Sequence, residues 1–368
     1  MYRIALNARL LIPGKLEGTG RFTHQCYKRL VSLRPEDKFL LIFDRPPPME
    51  FDYGENVETV CLLPPARRPW LFDVWFDYAV TWKIKKWNAN LFVSTDGYIS
   101  RRTLTPQLNV IHDINFEHNP DWLPSRYSKH FRKRFPEYAR FATKLCTVSN
   151  YSRVDISKCY GIAEDAITVI PNSSDAMFIP IDERSKQAAR DQFCEGKRYI
   201  VFVGSLHPRK NITGIVKAFE EYRRRGGSSE LLMVGVSMWK DEKREALGVH
   251  YAGRLNDNAL AKAVAAAEAM LYLPFFEGFG VPIIEAMACG VPVVASNCTS
   301  VPEVCGDAAA ALVDPNDYDA AAKGLLKLEV DREFRQQVIQ SGLMRSKDYS
   351  WDRSAEILSN EIDQLLNA

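Results

Sequence analysis

Along the chain, short apolar runs alternate with longer amphipathic stretches. Runs at 3–7, 39–43, 91–94, 109–112, 145–149 and 167–170 are short, rich in branched and aromatic residues, and read as buried strands. A second series follows at 199–203, 230–234, 269–273, 292–295 and 311–313. Between them, stretches such as 213–225, 258–267 and 317–328 carry the helical spacing of apolar positions. Strands alternating with helices predict parallel sheets covered on both faces. The pattern restarts near 199, where Tyr199-Ile200-Val201-Phe202-Val203-Gly204 reads as a first strand ending in a glycine turn, after a polar, charged stretch from Pro180 to Lys197. The expected architecture is α/β, with two Rossmann-like doubly wound domains facing across a cleft. Their bounds are 1–180 and 181–349, and a last amphipathic helix is expected at about 350–368. A ligand is expected at the carboxyl ends of the strands.

Composition changes this picture little. The 368 residues are 46% hydrophobic and 26% charged, as in ordinary soluble domains, with enough apolar material for two cores. The formal net charge of +2 does not suit a nucleic-acid binder. The distribution is more informative: residues 1–180 carry a net +6, gathered mostly between Arg67 and Lys144. The segment 67–87 mixes four tryptophans (Trp70, Trp75, Trp82, Trp87) and other aromatics with Arg67, Arg68, Lys83, Lys85 and Lys86, and 126–144 carries seven basic residues against one acid. The readings are a half-buried helix with a solvated basic face, a surface that meets anionic lipid or an anionic acceptor, and, less well supported because no binding motif accompanies the charge, a nucleic-acid contact. The eight cysteines include no C-x-x-C pair, so a zinc site of the usual spacing is not expected; Cys146 and Cys289 lie in apolar runs and read as small buried hydrophobes, and a reduced, cytoplasmic compartment fits best. No leader pattern and no membrane-spanning run is evident.

The stretch Phe276-Glu277-Gly278-Phe279-Gly280-Val281-Pro282-Ile283-Ile284-Glu285-Ala286-Met287-Ala288-Cys289-Gly290 carries the chemistry. It reads as a glycine loop followed by a helix, with Pro282 in the first turn and Gly290 as the stop. Gly278 and Gly280 allow a ligand close to the backbone, and the free amides at the helix start suit an anion. Glu277 and Glu285 flank that anion site. Carboxylates are poor phosphate ligands but strong acceptors for sugar hydroxyls. A diphosphate between two polyols, as in a nucleotide sugar, fits the set. Taken singly, most such glycine loops bind nothing, and two glutamates at this spacing arise by chance.

Glu277 to Glu285 resembles the E-x7-E signature of family 4 retaining glycosyltransferases, which have the GT-B fold. The resemblance extends over nearly the whole chain, through Ile170-Pro171-Asn172, Val203-Gly204-Ser205-Leu206-His207-Pro208-Arg209-Lys210-Asn211, Val293-Val294-Ala295-Ser296-Asn297 and Val301-Pro302-Glu303-Val304. It implies that the terminal helix, about 350–368, crosses back onto the first domain, and it implies roles for particular residues. Glu277 would accept hydroxyls of the donor sugar and Glu285 the ribose. Gly204, Gly278 and the amides of Phe279, Gly280 and Val281 would face sugar and diphosphate. Arg209 and Lys210 would neutralise the leaving diphosphate, and Leu255, after Gly253-Arg254, would pack on the base. In the first domain the loop Gly18-Thr19-Gly20-Arg21-Phe22 would face the donor through Gly20, with Arg21 adding charge toward acceptor or phosphate. His112 would touch the donor sugar near the reacting carbon, and Asp113 would orient it or touch the acceptor. Ser149 reads as a helix cap or a cleft residue.

The activity implied is hexosyl transfer with retention, from a nucleotide-diphosphate sugar to a hydroxyl of a glycan or lipid-linked saccharide, as in polysaccharide biosynthesis. The 18–22 loop is similar to that of bacterial mannosyltransferases of the family, so GDP-mannose is the first candidate donor and a UDP-sugar the second. No Asp-x-Asp lies at a strand end, so no metal and no cofactor are expected. No nucleic acid is expected as a partner, whereas an anionic surface on the cytoplasmic face of a membrane is. The alternatives are a nucleotide-sugar epimerase on a similar scaffold and a non-catalytic nucleotide-sugar-binding protein. A NAD-dependent dehydrogenase fits worse, because no full G-x-G-x-x-G follows a strand with an acid downstream.

Overall fold

The computed structural model describes residues 1–237, 244 and 246–367. The chain divides into two compact units. One comprises Met1–Asn172 with the helix Trp351–Leu366, and the other comprises Ser173–Ser350.

The first unit is built on seven parallel strands: β1 Arg3–Asn7, β2 Lys38–Phe43, β3 Val57–Cys61, β4 Leu91–Ser94, β5 Gln107–Val110, β6 Lys144–Thr147 and β7 Ile167–Val169. Their spatial order is β3-β2-β1-β4-β5-β6-β7. The chain winds outward from β1 to β3, then returns to β4 and winds the other way. Right-handed crossovers therefore put helices on both faces, and a crevice opens beyond the carboxyl ends of β1 and β4. The central strands are buried on both faces, which is why they read as unbroken apolar runs.

The second unit repeats the plan with β8 Tyr199–Val203, β9 Glu230–Val234, β10 Val249–Gly253, β11 Ala269–Tyr272, β12 Val293–Ser296 and β13 Ala311–Val313. The order is β10-β9-β8-β11-β12-β13, again all parallel, with the reversal between β8 and β11. Two strands were not expected from sequence, β3 and β10. Both are edge strands with part-exposed side chains, so neither leaves an apolar run to recognise. The strand expected at 109–112 lies two residues earlier. It starts at Gln107, a buried polar residue whose amide donates to the Ser100 carbonyl at 2.7 Å.

The helix Gly18–Leu33 buries Phe22, Cys26, Tyr27, Leu30 and Val31, one stripe at helical spacing. The C-terminal helix belongs to this unit because its own stripe, Trp351, Ala355, Leu358 and Ile362, is buried there. Ion pairs fix its register. Arg34 reaches Asp363 at 2.7 Å, and Glu361 takes Lys144 at 3.0 Å and the Thr168 hydroxyl at 2.9 Å.

Residues 69–86 form one helical run whose middle, Trp75–Val80, is a π-helix. The structure bears out a half-buried helix. Trp75, Phe76 and Ile84 are core residues, and the Trp75 indole donates to the Leu62 carbonyl at 3.1 Å. Trp70, Tyr78 and Trp82 stay more than half exposed. In the helix Ser125–Phe141, Arg134 is neutralised by Asp73 and Glu137, and Arg132 pairs with Glu117. Arg67, Arg68 and Arg126 instead border a surface depression with Trp70 and Tyr127. Among the described residues no helix is long and apolar enough to cross a membrane.

Candidate active site

In each unit most of the residues expected at the site lie near the carboxyl ends of the strands, around the point where the strand order reverses. In the second unit, β8 runs into Gly204 and then a tight turn, Pro208–Lys210. His207 caps that turn, its Nδ1 accepting the Arg209 amide at 3.1 Å. On the neighbouring strand, β11 ends at Tyr272 and leads through Phe276 and Glu277 to the helix Val281–Ala288. The two loops are joined by the Phe275 amide, which donates to the Arg209 carbonyl at 2.8 Å.

Side chains then converge on one carboxylate oxygen. Glu277 Oε1 accepts from Arg209 at 3.0 Å, from the Tyr272 hydroxyl at 3.0 Å, and from Lys210 Nζ. Lys210 also lies 2.5 Å from the Tyr272 hydroxyl. Glu277 and Lys210 are both buried. Burial pushes the Glu277 carboxyl up, but Arg209 and Lys210 outweigh it and hold the group below the ordinary glutamate value. Burial, followed by the Glu277 charge, keeps Tyr272 protonated far above its usual range. The result is a fixed carboxylate held by two cations at a strand end.

The backbone around it is equally constrained. Gly280 precedes the helix with φ +106°, a conformation that favours glycine, and Pro282 occupies the first turn. Gly290 follows the helix with φ +69°. The Glu277 amide donates to Thr299 Oγ1 at 3.1 Å, and Ser300 Oγ lies 2.9 Å from the carbonyls of both Glu277 and Phe279. Thr299 has φ +56°, a real outlier for a β-branched residue, in the loop that supports Glu277. Glu285 is buried in the same helix. Gly204 and Leu255 share this end of the sheet. The Gly204 amide donates to the Val234 carbonyl at 2.9 Å, Gly235 to Gly253 at 2.9 Å, and half-buried Leu255 follows β10.

In the first unit, the ends of β1 and β4 are tied by Asn7, whose amide donates to Ser94 Oγ at 2.9 Å, and by Arg9 with Asp96 at 2.7 Å. His112 lies two residues past β5, not on it. Its Nε2 is 3.0 Å from the Thr95 carbonyl. A carbonyl only accepts, so Nε2 carries the proton and Nδ1 is left as the acceptor. Burial lowers the His112 pKa against the opposing pull of Asp113, the Thr95 carbonyl and Asp96, so the ring is neutral at pH 7. Phe22 meets it edge-on, with ring centroids 4.9 Å apart. Thr95, not Asp113, orients the imidazole. Asp113 accepts from the Asn115 amide at 3.0 Å and its side chain at 2.6 Å.

The segment 18–22 is a helix start and not the expected loop. Gly20 lies inside the first turn, where a Cβ would sit 2.7 Å from the Leu10 carbonyl oxygen. Its small size serves close packing of this helix on the 8–16 segment, and Arg21 is already helical. Gly20→Ala is expected to cost about 1–3 kcal/mol through overpacking against backbone, read as a lower thermal midpoint. An unchanged midpoint would show that the segment yields freely. Ser149 is a cap, accepting the Ser152 amide at 3.0 Å.

Residues 183–344 match the family described as "Glycosyl transferases group 1", and residues 17–176 match "Glycosyltransferase Family 4". The chain is a family 4 glycosyltransferase. It is 29% identical to the O-antigen chain mannosyltransferase B of Escherichia coli over 361 residues, covering 92% of this chain and 93% of that protein. A GDP-mannose-dependent monoacylated alpha-(1-6)-phosphatidylinositol monomannoside mannosyltransferase of Corynebacterium glutamicum is 26% identical over 59% of this chain and 61% of its own. The crystal structure of Anabaena HepE in complex with UDP-glucose superposes with a TM-score of 0.74 at 16% identity, covering 99% of this chain and all of that one. That likeness places the fold of this glycosyltransferase among GT-B enzymes.

Sequence reasoning missed Tyr272, Thr299, Ser300 and Thr95. Tyr272 had been absorbed into an apolar strand. The others are ordinary hydroxyl residues in loops, and only their tertiary neighbours give them a task.

Proposed function

We propose that this glycosyltransferase moves mannose with retention from GDP-mannose to a hydroxyl of a glycan or lipid-linked saccharide, a UDP-sugar being the second candidate donor. The observation that carries the reading is the convergence of Arg209 and Lys210 on Glu277, beside the amino end of the helix Val281–Ala288. When the bond from the sugar C1 to the phosphate oxygen breaks, its electron pair stays on the diphosphate. Arg209 forks onto phosphate oxygens, Lys210 supplies a point charge, and the amides of Phe279, Gly280 and Val281 add the helix-end field. Each such donor is worth about 3–4 kcal/mol to the transition state. The acceptor oxygen bonds to C1 on the face the phosphate leaves, and its proton passes to a phosphate oxygen. No enzyme nucleophile is required, and in this scheme the basic pair stands where a divalent cation would otherwise act.

Glu277 Oε1 is held by three donors, so in this reading Oε2 takes the sugar hydroxyls. Glu285 takes the ribose, Leu255 packs on the base, and Gly204 admits the diphosphate. His112 offers a neutral Nδ1 to a sugar hydroxyl, with Arg21 on the acceptor side. Mannose is favoured by the E. coli and C. glutamicum relatives, both mannosyltransferases; the UDP-glucose bound to Anabaena HepE keeps the second donor in play. Incubation with GDP-mannose or UDP-glucose, with and without EDTA, tests this. Release of GDP that persists in EDTA, with an α-linked product by NMR, is expected. Turnover with UDP-glucose alone, loss of turnover in EDTA, or a β-linked product would each overturn the corresponding part.

A lipid-linked acceptor would require the enzyme at a membrane surface on the cytoplasmic side. Arg67, Arg68 and Arg126 around exposed Trp70 suit an anionic headgroup layer. Binding to phosphatidylglycerol vesicles at low salt is expected to fall at least tenfold in Arg67→Glu/Arg68→Glu. Vesicle binding equal to that of the unsubstituted chain would remove this surface from the account.

A further inference from the structure

We infer that the first unit carries a surface site for a zinc-class transition-metal ion, formed by His118, Asp155 and Cys159. Nothing in the transfer scheme uses these residues. Their three donor atoms lie within 4.8 Å of one another. His118 Nε2 is 2.8 Å and 3.0 Å from the two Asp155 oxygens, and Cys159 Sγ is 3.7 Å from Oδ1. Two elements supply them. Asp155 and Cys159 stand one turn apart on the helix Asn150–Tyr160, and His118 ends the short helix Asn115–His118.

The donor set selects the metal class. A thiolate, an imidazole and a carboxylate together suit zinc, whereas magnesium and calcium take oxygen ligands. His118 and Cys159 are exposed, so an ion has access, while Asp155 is covered and fixed. The supporting contacts keep the two elements in register. Glu117, next to His118, accepts the Tyr160 hydroxyl at 3.1 Å and Arg132 at 3.2 Å. Three protein ligands leave a fourth position for water. Binding replaces the thiol proton, which passes to solvent, so affinity rises with pH.

The ion would join the segment 111–118 to the helix Asn150–Tyr160. That segment carries His112 and Asp113 at its start. The metal is therefore a clamp on the segment bearing His112, remote from Glu277, Arg209 and Lys210 in the sequence and housed in the other unit.

The test is titration of the metal-free, reduced full chain with cobalt(II), then zinc. The expected result is one cobalt per chain, with a thiolate-to-cobalt charge-transfer band and the intense visible bands of tetrahedral cobalt, all erased by zinc. Cys159→Ser, an exposed and conservative change, should lose the charge-transfer band, and His118→Ala should weaken binding at least tenfold. Zinc should raise the thermal midpoint of the unsubstituted chain and not that of His118→Ala. Weak octahedral cobalt spectra, or equal spectra and affinity in both variants, would overturn the site. None of these readouts depends on sugar transfer.

Discussion

Glu277→Ala is expected to abolish transfer and to destabilise the second unit by about 3–5 kcal/mol, the cost of leaving buried charge unpaired. The alanine would leave Lys210, itself buried, beside Tyr272 without the Glu277 carboxylate. Arg209 would lose its contact with Glu277 and keep the Phe276 carbonyl at 3.2 Å. The double variant Glu277→Ala/Lys210→Met separates the two effects. It removes both charges of the tightest pair, so most of the stability should return while transfer stays absent. If the single variant unfolds at the midpoint of the unsubstituted chain, the cluster is not the buried ion network described. If it transfers sugar normally, Glu277 has no place in the chemistry.

The same carboxylate sets an acid limit. Its pKa in the fold lies below the ordinary glutamate value of 4.5. The unfolded chain therefore takes up the proton first as pH falls. The stability due to ionised Glu277 is complete above about pH 4.5 and is lost as pH drops through the lower folded value. Glu277→Gln should flatten that part of the acid-denaturation curve.

Gly235→Ala is the second large effect. A Cβ at Gly235 would lie 1.8 Å from the Gly204 carbonyl oxygen, and Gly235 has φ +144°, a glycine conformation. Neither backbone can give way cheaply. The Gly235 amide is bound to Gly253, and the Gly204 amide to Val234. Backbone strain and overpacking together predict a loss of about 2–5 kcal/mol. The carboxyl ends of β8 and β9 would be forced apart, and Gly204 leads directly into the turn that aims Arg209 and Lys210. Transfer should fall more than tenfold even at temperatures where the variant is folded. Thermal unfolding together with donor affinity checks this; wild-type values for both would mean the two glycines are not packed as described. Gly226→Ala serves as the comparison, since nothing lies within 4 Å of its Cβ.

Much of this could be read before any coordinates. The doubly wound plan was legible because strands buried on both faces need unbroken apolar runs, as in Tyr199–Val203 and Leu91–Ser94. The helix carrying Glu285 was legible because Gly280, Pro282 and Gly290 are local signals for a start and a stop. Arg209 and Lys210 stood out because a basic pair follows a strand and a glycine turn. Edge strands β3 and β10 were silent, since half-exposed strands carry mixed side chains. The segment around Gly20 misled, because a glycine chosen for packing against Leu10 looks in sequence like a glycine chosen for a loop.

By itself, then, the sequence determined the fold class, the family and the residue types gathered at the strand ends, because these depend on neighbours along the chain. Tertiary structure alone decided which atoms meet. It put Tyr272 and Lys210 on the same oxygen of Glu277, fixed the His112 proton on Nε2 through the accepting Thr95 carbonyl, set Gly235 against Gly204, and brought His118 beside Asp155 and Cys159. Each of those contacts joins residues on different elements, and where two elements cross is set by how the sheets and helices pack, which no local pattern records.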